Sequence, residues 1–208
     1  MPDLFIITGS NGAGKSTVGK DYLPQDIQDN CPVFDGDLLY VRKSAEFFPH
    51  LIRSPKEASK KALEFVIETF EQLVEKALSE NKTFAYEGHF PNDATWETPR
   101  RFKENGFITH MLFFGLLNPD LSQLRVTDRV TEGGHFVDRK TIESNFFGNL
   151  EKLDQHFDVI DELTIIDTSE EHTLLARIVD QKWESGTNYQ RLPEWFTDHL
   201  PNLSSLIP

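Results

Sequence analysis

Cysteine is nearly absent from this chain of 208 residues, and basic residues are few. The single cysteine, Cys31, excludes an intramolecular disulfide and a zinc site built from several cysteines, and it is typical of a reducing cytoplasm. The chain has 21 lysines and arginines against 34 aspartates and glutamates, for a formal net charge of −13. Because proteins that bind nucleic acids usually carry a basic surface, we expect no nucleic-acid partner.

Long apolar runs are also missing. No stretch approaches the roughly 20 apolar residues of a membrane-spanning helix, so we expect no membrane partner. The N-terminal sequence, MPDLFIITG, lacks the cationic flank and the cleavage site of a signal peptide, and its short apolar run is typical of a buried strand. These observations predict a cytoplasmic protein.

What the chain does contain is an alternation of strands and helices. Apolar runs predict five strands, and helical periodicity with its end signals predicts helices between and after them. The strands lie at 4–8, 32–34, 83–86, 107–117 and 162–169, and the helices at 15–22, 56–80, 93–105, 120–131, 139–156 and 170–185. This order predicts an α/β fold with a five-stranded, mostly parallel sheet that has helices on both faces.

The length of 208 residues is that of one α/β domain with a lid or a small insertion. No repeat, low-complexity run or change of composition indicates a linker, so residues 1–208 are predicted to form a single domain. Residues 186–208 carry three prolines, from which we expect one short helix and a loosely packed C-terminal end.

The most specific motif is a glycine-rich segment near the N-terminus. Residues 9–16, GSNGAGKS, match the pattern G-x-x-x-x-G-K-[ST] in full, between a predicted strand and a predicted helix. Glycines let successive backbone N–H groups converge on phosphates at the positive end of the helix dipole. We expect Lys15 to bridge the terminal phosphates and the Ser16 hydroxyl to bind Mg²⁺. The motif therefore predicts binding of ATP or GTP with Mg²⁺ through Gly9, Asn11, Gly12, Ala13, Gly14, Lys15, Ser16 and Thr17.

Three absences narrow the class of nucleotide-dependent protein. A guanine-reading N-K-x-D motif is missing, because the Asn81-Lys82 pair precedes a predicted strand and is followed by threonine. The fourth predicted strand reaches Gly115 without the acidic residues that are typical of motor ATPases. The length leaves no room for large coupling domains, and the net charge disfavours a kinase of nucleic-acid ends. A small phosphotransferase is the class that remains.

Two carboxylates follow neighbouring predicted strands. Asp37 lies just beyond the second strand and Glu87 just beyond the third. Because ligands bind at the carboxyl ends of the strands in an open parallel sheet, we expect both side chains in the crevice that holds Lys15. Asp37 would take the proton of an acceptor hydroxyl, and Glu87 would hold the acceptor or a metal-bound water. The residues alone also allow the alternative that both are ordinary turn residues.

Arginines supply positive charge further along the chain. Arg125 and Arg129 are four residues apart and therefore share one face of a helix, and Arg139 follows Gly133-Gly134. A lid at about residues 120–145 would close and bring an arginine onto the phosphates. A solvated helix face that ends at a Gly133-Gly134 cap is an equally good interpretation of the residues alone.

This set of motifs resembles the zeta-toxin family of P-loop kinases, in its broader branch of small stand-alone proteins. The segments that carry the resemblance follow the family's order over most of residues 3–169: FIITGSNGAGKST, VFDGDLLY, FAYEGHF, RVTDRVTEGGHFVDRKTI and NLEKLDQHFDVIDELTIIDTS. The resemblance implies a P-loop kinase fold and ATP- or GTP-dependent phosphorylation of a small hydroxyl-bearing acceptor. UDP-N-acetylglucosamine is the acceptor known in the family, and a protein antitoxin is an implied partner.

The resemblance also implies roles for individual residues. Lys15 and Ser16 match the family's phosphate and Mg²⁺ residues. Asp37 lies at the position of the family's proposed catalytic base, and Glu87 matches the acidic residue that faces the acceptor.

The lid region both matches the family and departs from it. Arg129 matches the family's lid arginine, and Arg125, which precedes it by one turn, is a further candidate substrate contact. Residues 142–146, IESNF, stand where the branch usually has an arginine-rich run, so a second lid arginine is missing. Gly88-His89 stand where the family commonly has threonine, and His89 is either a substrate contact or a turn histidine. The missing arginine leaves open a nucleotide-binding regulatory protein without kinase activity.

Overall fold

A computed structural model describes residues 1–131 and 137–208 of the chain. The strands are β1 Asp3–Gly9, β2 Val33–Asp35, β3 Phe84–Glu87, β4 Ile108–Gly115, β5 Glu162–Asp167, β6 Thr173–Val179 and β7 Lys182–Gly186. The α-helices are α1 Lys15–Val18, α2 Gln25–Asn30, α3 Gly36–Phe47, α4 Pro55–Glu80, α5 Glu97–Glu104, α6 Pro119–Thr131, α7 Arg139–His156, α8 Glu194–His199 and α9 Pro201–Ser204. Short 3-10 helices cover Gly19–Tyr22, Asp93–Trp96, Phe157–Val159 and Tyr189–Arg191.

A central sheet flanked by helices confirms the predicted α/β P-loop fold. The strand order is β2-β3-β1-β4-β5-β6-β7, and the first five strands in this order run parallel to their neighbours. Strand β1 is buried from Leu4 to Gly9, as expected for a parallel strand in the middle of a covered sheet. It therefore delivers the glycine-rich loop to the centre of the sheet's carboxyl edge, between β3 and β4.

The predicted helix at 170–185 is wrong, and with it the prediction of five strands. These residues form the hairpin β6–β7, which extends the sheet beyond β5 in antiparallel orientation and brings it to seven strands. The hairpin turn contains Asp180 and Gln181, with φ angles of 47° and 62°. Two consecutive positive φ angles are typical of a type I′ turn, which glycine or asparagine usually marks in a sequence. Because neither is present here, the turn residues give no clear hairpin signal.

The C-terminal segment is packed into the core, contrary to the expected loose end. Trp195 on α8 is 3 % exposed, and Leu203 on α9 is also buried. The carboxylate of Asp154 on α7 accepts the backbone N–H groups of Asn202, at 3.2 Å, and Leu203, at 3.0 Å. Two of the three prolines of this segment, Pro193 and Pro201, stand at or beside the starts of its helices, where a missing N–H costs little.

Local signals explain the helices that carry the site. The predicted helix at 56–80 is confirmed as α4, which begins at Ser54 as N-cap with Pro55 in its first turn and ends at Asn81 in the left-handed conformation. Helix α3 was not predicted. It begins immediately after β2, where one oxygen of Asp35 accepts the N–H of Leu38 at 2.9 Å.

The region between α6 and α7 includes residues 132–136, so the expected cap at Gly133-Gly134 lies outside the described residues. The predicted helices at 120–131 and 139–156 are confirmed on either side of it as α6 and α7. Across the two described ranges, each helix is too short or too polar to cross a bilayer.

Candidate active site

Two cavities open at the carboxyl ends of the parallel strands. The smaller, of about 530 Å³, is formed by the glycine-rich loop, the start of α3, the end of β3 and α6; its lining is Asn11, Gly12, Gly14, Lys15, Ser16, Thr17, Asp35, Asp37, Leu38, Val41, Glu87, His89, Arg125, Asp128 and Arg129. The larger, of about 850 Å³, lies against α3 and α4. Both cavities share Lys15, Asp35, Asp37, Glu87 and His89. The structure therefore brings four of the predicted site residues, Lys15, Asp37, Glu87 and His89, to a wall that the two cavities share.

The glycine-rich loop requires glycine where other elements approach it. Gly9 has a φ of +136°, and a Cβ there would lie 2.1 Å from the carbonyl oxygen of Phe114 on β4. Gly12 has a φ of +74°, and a Cβ there would lie 3.0 Å from the Cβ of Arg125 on α6. Helix α1 then begins after Gly14 without a side-chain cap. The loop's backbone is thus held close to β4 and α6, with no side chain capping the start of α1.

Lys15 is buried inside the loop, with 7 % of its surface exposed. Its Nζ donates to the carbonyl oxygens of Gly9, at 3.1 Å, and Ser10, at 3.0 Å. Burial lowers the pKa of Lys15, while the carboxylates of Glu87 and Asp37 oppose that shift. The ammonium group therefore sits between the loop and the acidic side of the two cavities.

Ser16 and Glu87 form a polar pair across the smaller cavity. The Ser16 hydroxyl lies 2.9 Å from each carboxylate oxygen of Glu87 and donates to that group. Burial raises the pKa of Glu87, and the neighbouring Lys15 opposes that shift. Because the hydroxyl hydrogen is directed at Glu87, the lone pairs of the Ser16 oxygen are available to a hard cation such as Mg²⁺. Within the described ranges, no group of three or more His, Cys, Asp and Glu side chains is arranged to hold a metal ion by itself.

Two aspartates, and not one, stand at the start of α3. Asp37 is in the first turn of α3 and lines both cavities, as the sequence predicts for a crevice residue. Asp35 also lines both cavities, and its backbone pairs in register with that of Glu87. Asp35 was not predicted as a site residue, although an aspartate directly before a helix is a common N-cap signal.

The arginines separate into cavity and surface positions. Arg125 and Arg129 on α6 both line the smaller cavity, and the charge of Arg129 helps to lower the pKa of Lys15. Arg125 also donates to the carbonyl oxygen of Ser169, 2.9 Å away, in the loop after β5. Arg139 pairs instead with Asp120 and Glu143, both at 2.8 Å, and its side chain is 61 % exposed.

Helices α6 and α7 contribute residues to the site that were not predicted from the sequence. Asn145 contacts the loop residue Asn11, and the buried Asn149 contacts Gly9 and His89. Ser122 on α6, also buried, donates to the backbone carbonyl of Asn11. A polar residue on a helix gives no sequence signal of the loop that it contacts, so only the tertiary structure reveals these links.

Comparison with known proteins relates this chain to a family. The family model described as Zeta toxin matches residues 1–180. A protein of Haemophilus influenzae, itself described as uncharacterized, is 26 % identical over 129 residues, which span 62 % of this chain and 81 % of the relative.

Solved structures with low sequence identity share the fold. A chain from the PezAT chromosomal toxin-antitoxin system of Streptococcus pneumoniae aligns with a TM-score of 0.61 at 19 % identity, over 98 % of this chain and 78 % of that one. A chain of the AvrRxo1-ORF1:-ORF2 complex with ATP aligns with a TM-score of 0.71 at 13 % identity, over 96 % of this chain and 64 % of that one. The present chain thus spans less than two thirds of the AvrRxo1 chain. Together with the complete glycine-rich motif, the family match supports a nucleotide-dependent phosphotransferase as the general class.

Proposed function

Because the chain belongs to the zeta-toxin family, we propose that it transfers the terminal phosphoryl group of ATP or GTP to a hydroxyl group of a small acceptor. The observation that carries this proposal is that two cavities meet at Lys15, Asp37 and Glu87. The smaller cavity contains the glycine-rich loop and is assigned to the nucleotide, and the larger one to the acceptor. Direct transfer requires the acceptor hydroxyl to lie in line with the terminal phosphate of the nucleotide. Lys15, Asp37 and Glu87 line the place where the two cavities join, so both substrates can meet there.

The residues of the smaller cavity fit a triphosphate and Mg²⁺. Gly12 and Gly14 line the cavity without a side chain, Lys15 supplies a buried ammonium group, and the Ser16 oxygen is available to Mg²⁺. When bound, the nucleotide supplies the phosphoryl group and Mg²⁺ neutralises its charge. Lys15 from the loop and Arg129 from α6 contribute further positive charge, which stabilises the charge that develops during transfer.

Asp37 acts as the general base in this proposal. Its carboxylate accepts the proton of the acceptor hydroxyl while that oxygen bonds to phosphorus and the nucleoside diphosphate leaves. Glu87 accepts from the Ser16 hydroxyl and also lines the larger cavity, so it is assigned to orienting the acceptor.

We further propose a UDP-activated amino sugar as the acceptor, which the family resemblance supports. Beside its polar residues, the larger cavity has an apolar wall of Tyr40, Leu63 and Val66. Leu63 is 52 % exposed there, so a purely hydrophilic alcohol would leave apolar surface in water. Lys60 on the same wall provides a cation that suits an acceptor with an anionic group.

An acceptor screen tests the proposal. Purified protein is incubated with ATP or GTP, Mg²⁺ and a panel of nucleotide sugars and simple alcohols, and products are analysed by mass spectrometry for the gain of one phosphate. Asp37→Asn is expected to retain nucleotide binding and lose transfer, while the matched control Asp26→Asn, on the exposed face of α2, retains both. Equal loss of binding and transfer in Asp37→Asn would contradict the assigned role.

A nucleotide-binding regulatory protein without kinase activity is the second candidate function. Asn145 lies in the stretch where related proteins usually have an arginine-rich run, and its amide contacts Asn11 at 2.9 Å. That stretch thus brings a neutral group to the loop. Tight ATP binding with no product from any acceptor would favour this function, whereas acceptor-dependent release of ADP would exclude it.

A protein antitoxin is proposed as a partner, by analogy with the PezAT toxin-antitoxin system. Expression of the wild-type chain alone in bacteria is then expected to slow growth, and expression of Asp37→Asn is not. Equal growth of both strains, at matched protein levels, would count against a toxin role. A cytoplasmic location likewise stays a prediction.

A further inference from the structure

Helix α3, which carries Asp37, starts at the edge of the sheet with little packing to hold it. It follows β2, a strand of three partly buried residues at one end of the sheet. None of the 12 residues of α3 is buried. A helix of this length is marginal by itself in water, so its first turn needs local interactions to stay formed. The carboxylate assigned as general base thus lies in a turn that the core does not fix.

A glycine directly precedes Asp37 and adds backbone freedom. Gly36 is the first residue of α3, and glycine has more accessible backbone conformations than any other residue. A Cβ at this position would lie 3.4 Å from Cγ1 of Val66 and 3.5 Å from Cε1 of Phe34, about the distance of an ordinary carbon–carbon contact. The surrounding packing therefore leaves space for a side chain and does not itself hold Gly36 in place.

The carboxylate of Asp35 supplies a local restraint on this turn. Asp35 has an extended backbone, with φ −119° and ψ 104°, and its Oδ1 accepts the backbone N–H of Leu38 at 2.9 Å. This is the hydrogen bond of an N-cap residue to the third residue of its helix. The bond closes a short loop of chain that contains Gly36 and Asp37. It therefore restrains the backbone from which the Asp37 side chain projects.

We propose that Asp35 is a positioning residue, which caps α3 and thereby holds the Asp37 carboxylate where the two cavities join. This role rests on the proposed phosphotransfer, in which Asp37 accepts the proton of the acceptor hydroxyl. Asp35 acts through the backbone of α3, so a neutral side chain that caps equally well is able to replace it. Asp35 is also one of the charges near Lys15 and Glu87, so a test must separate the cap from the charge.

The pair Asp35→Asn and Asp35→Ala makes this separation. Both substitutions remove the same negative charge, but asparagine caps a helix about as well as aspartate does, and alanine does not. Any difference between the two variants therefore reports the hydrogen bond to Leu38. From the usual contribution of an N-cap, we expect about a 2- to 30-fold difference in the equilibrium between the formed and the frayed first turn.

Hydrogen exchange tests the structural part without any substrate. Protection factors of the backbone amides in the first turn of α3, including that of Leu38, are measured by NMR spectroscopy. We expect them to be about 2- to 30-fold lower in Asp35→Ala than in Asp35→Asn, which should resemble the wild type. Equal protection in the two variants would overturn the proposal, because the first turn would not depend on the cap.

Ser54→Ala is a matched control on the neighbouring helix. Ser54 caps α4, where its hydroxyl oxygen accepts the backbone N–H of Glu57 at 3.3 Å. Its loss removes a cap of the same kind, away from Asp37. We expect the protection of the first turn of α3 and the kcat of transfer to stay at their wild-type values in this variant. A loss of kcat as large as in Asp35→Ala would contradict a specific role of the cap of α3.

Transfer kinetics test the functional part. The kcat of Asp35→Ala is expected to be about 2- to 30-fold below that of Asp35→Asn, if only the capped turn is active. The two variants should share one Kd for ATP, because the glycine-rich loop lies outside α3. Equal kcat values in the two variants, at any level relative to the wild type, would refute the positioning role.

Gly36→Ala provides a rescue experiment. Alanine fits the space around this position and restricts the frayed backbone. In the Asp35→Ala background it should therefore restore part of the lost protection and part of the lost kcat, and no restoration would contradict the restraint assigned to the cap. If neither the wild type nor any variant transfers phosphate, the proposed function fails together with the positioning role. The exchange data then still decide whether Asp35 fixes the start of α3.

Discussion

Gly115 at the end of β4 offers a stringent test of how the C-terminal segment supports the site. A Cβ at this position would lie 2.2 Å from Cη2 and 2.3 Å from Cζ2 of the buried Trp195. Ordinary carbon–carbon contacts are about 3.5–4.0 Å, so Gly115→Ala must push the indole outward by more than about 1 Å. Trp195 has little space to retreat, because it belongs to the core together with Phe196 and Leu200.

We expect Gly115→Ala to lower the free energy of unfolding, because it overpacks a well-filled core. Such insertions typically destabilise by about 1–3 kcal/mol, which for a chain of this size lowers the melting temperature by roughly 2–12 °C. Thermal and urea unfolding followed by circular dichroism measure the change. Trp195→Phe removes the outer ring edge that the new methyl group would meet, so we expect Gly115→Ala to cost less in that background.

A double-mutant cycle of Gly115→Ala, Trp195→Phe and the two together isolates the energy of the contact between these residues. A coupling of about 0.5–3 kcal/mol between the two substitutions is expected for residues in direct contact. If Gly115→Ala lowers the free energy of unfolding equally with tryptophan and with phenylalanine at position 195, the reasoning from this contact is wrong. The destabilisation then comes from the backbone of the strand.

Further predictions concern the site. Lys15→Met is expected to weaken ATP binding about 10- to 100-fold in calorimetry, because hydrogen bonds to charged groups contribute roughly 1.5–3 kcal/mol; unchanged affinity would contradict its phosphate role. Arg129→Ala is expected to slow transfer at least about 1,000-fold, as for other arginines that stabilise transferring phosphate, while Arg139→Ala leaves the rate unchanged. A comparable loss in both would refute the separation of cavity and surface arginines. Since burial raises the pKa of Glu87 above its ordinary 4.5, ionisation of this carboxyl costs stability as the pH rises through that value. Glu87→Gln removes this cost, so its melting temperature relative to wild type should be higher at pH 7 than at pH 4, and the reverse order would contradict the shift.

The sequence predicted the parts of the molecule whose signals are local. The glycine-rich loop has a complete motif, and Gly9, one of the glycines that the motif requires, is needed for the close approach of β4. The parallel strands are short apolar runs, and α4 has both periodicity and end signals. Because the carboxyl ends of parallel strands share one edge, the positions of Asp37 and Glu87 after their strands are enough to predict that both lie near Lys15.

The other features of the structure depend on tertiary contacts that have no local signal in the sequence. The hairpin β6–β7 turns at Asp180-Gln181 without glycine, so its sequence lacks the signal that separates two strands from one helix. The packing of Trp195 against Gly115 joins two distant parts of the chain, and nothing in the C-terminal sequence indicates it. Asn149 is likewise defined by partners on two other segments.

The contacts between α6 and the glycine-rich loop have a consequence for regulation. Gly12 packs closely against Arg125, and Ser122 donates to the carbonyl group of Asn11, so the loop and the helix cannot move independently. Binding equilibria that share such an element are linked reciprocally: whatever factor a bound nucleotide applies to the affinity for a protein that contacts α6, that protein applies to the affinity for the nucleotide. A partner that never enters the nucleotide cavity therefore has a thermodynamic route to control its occupancy.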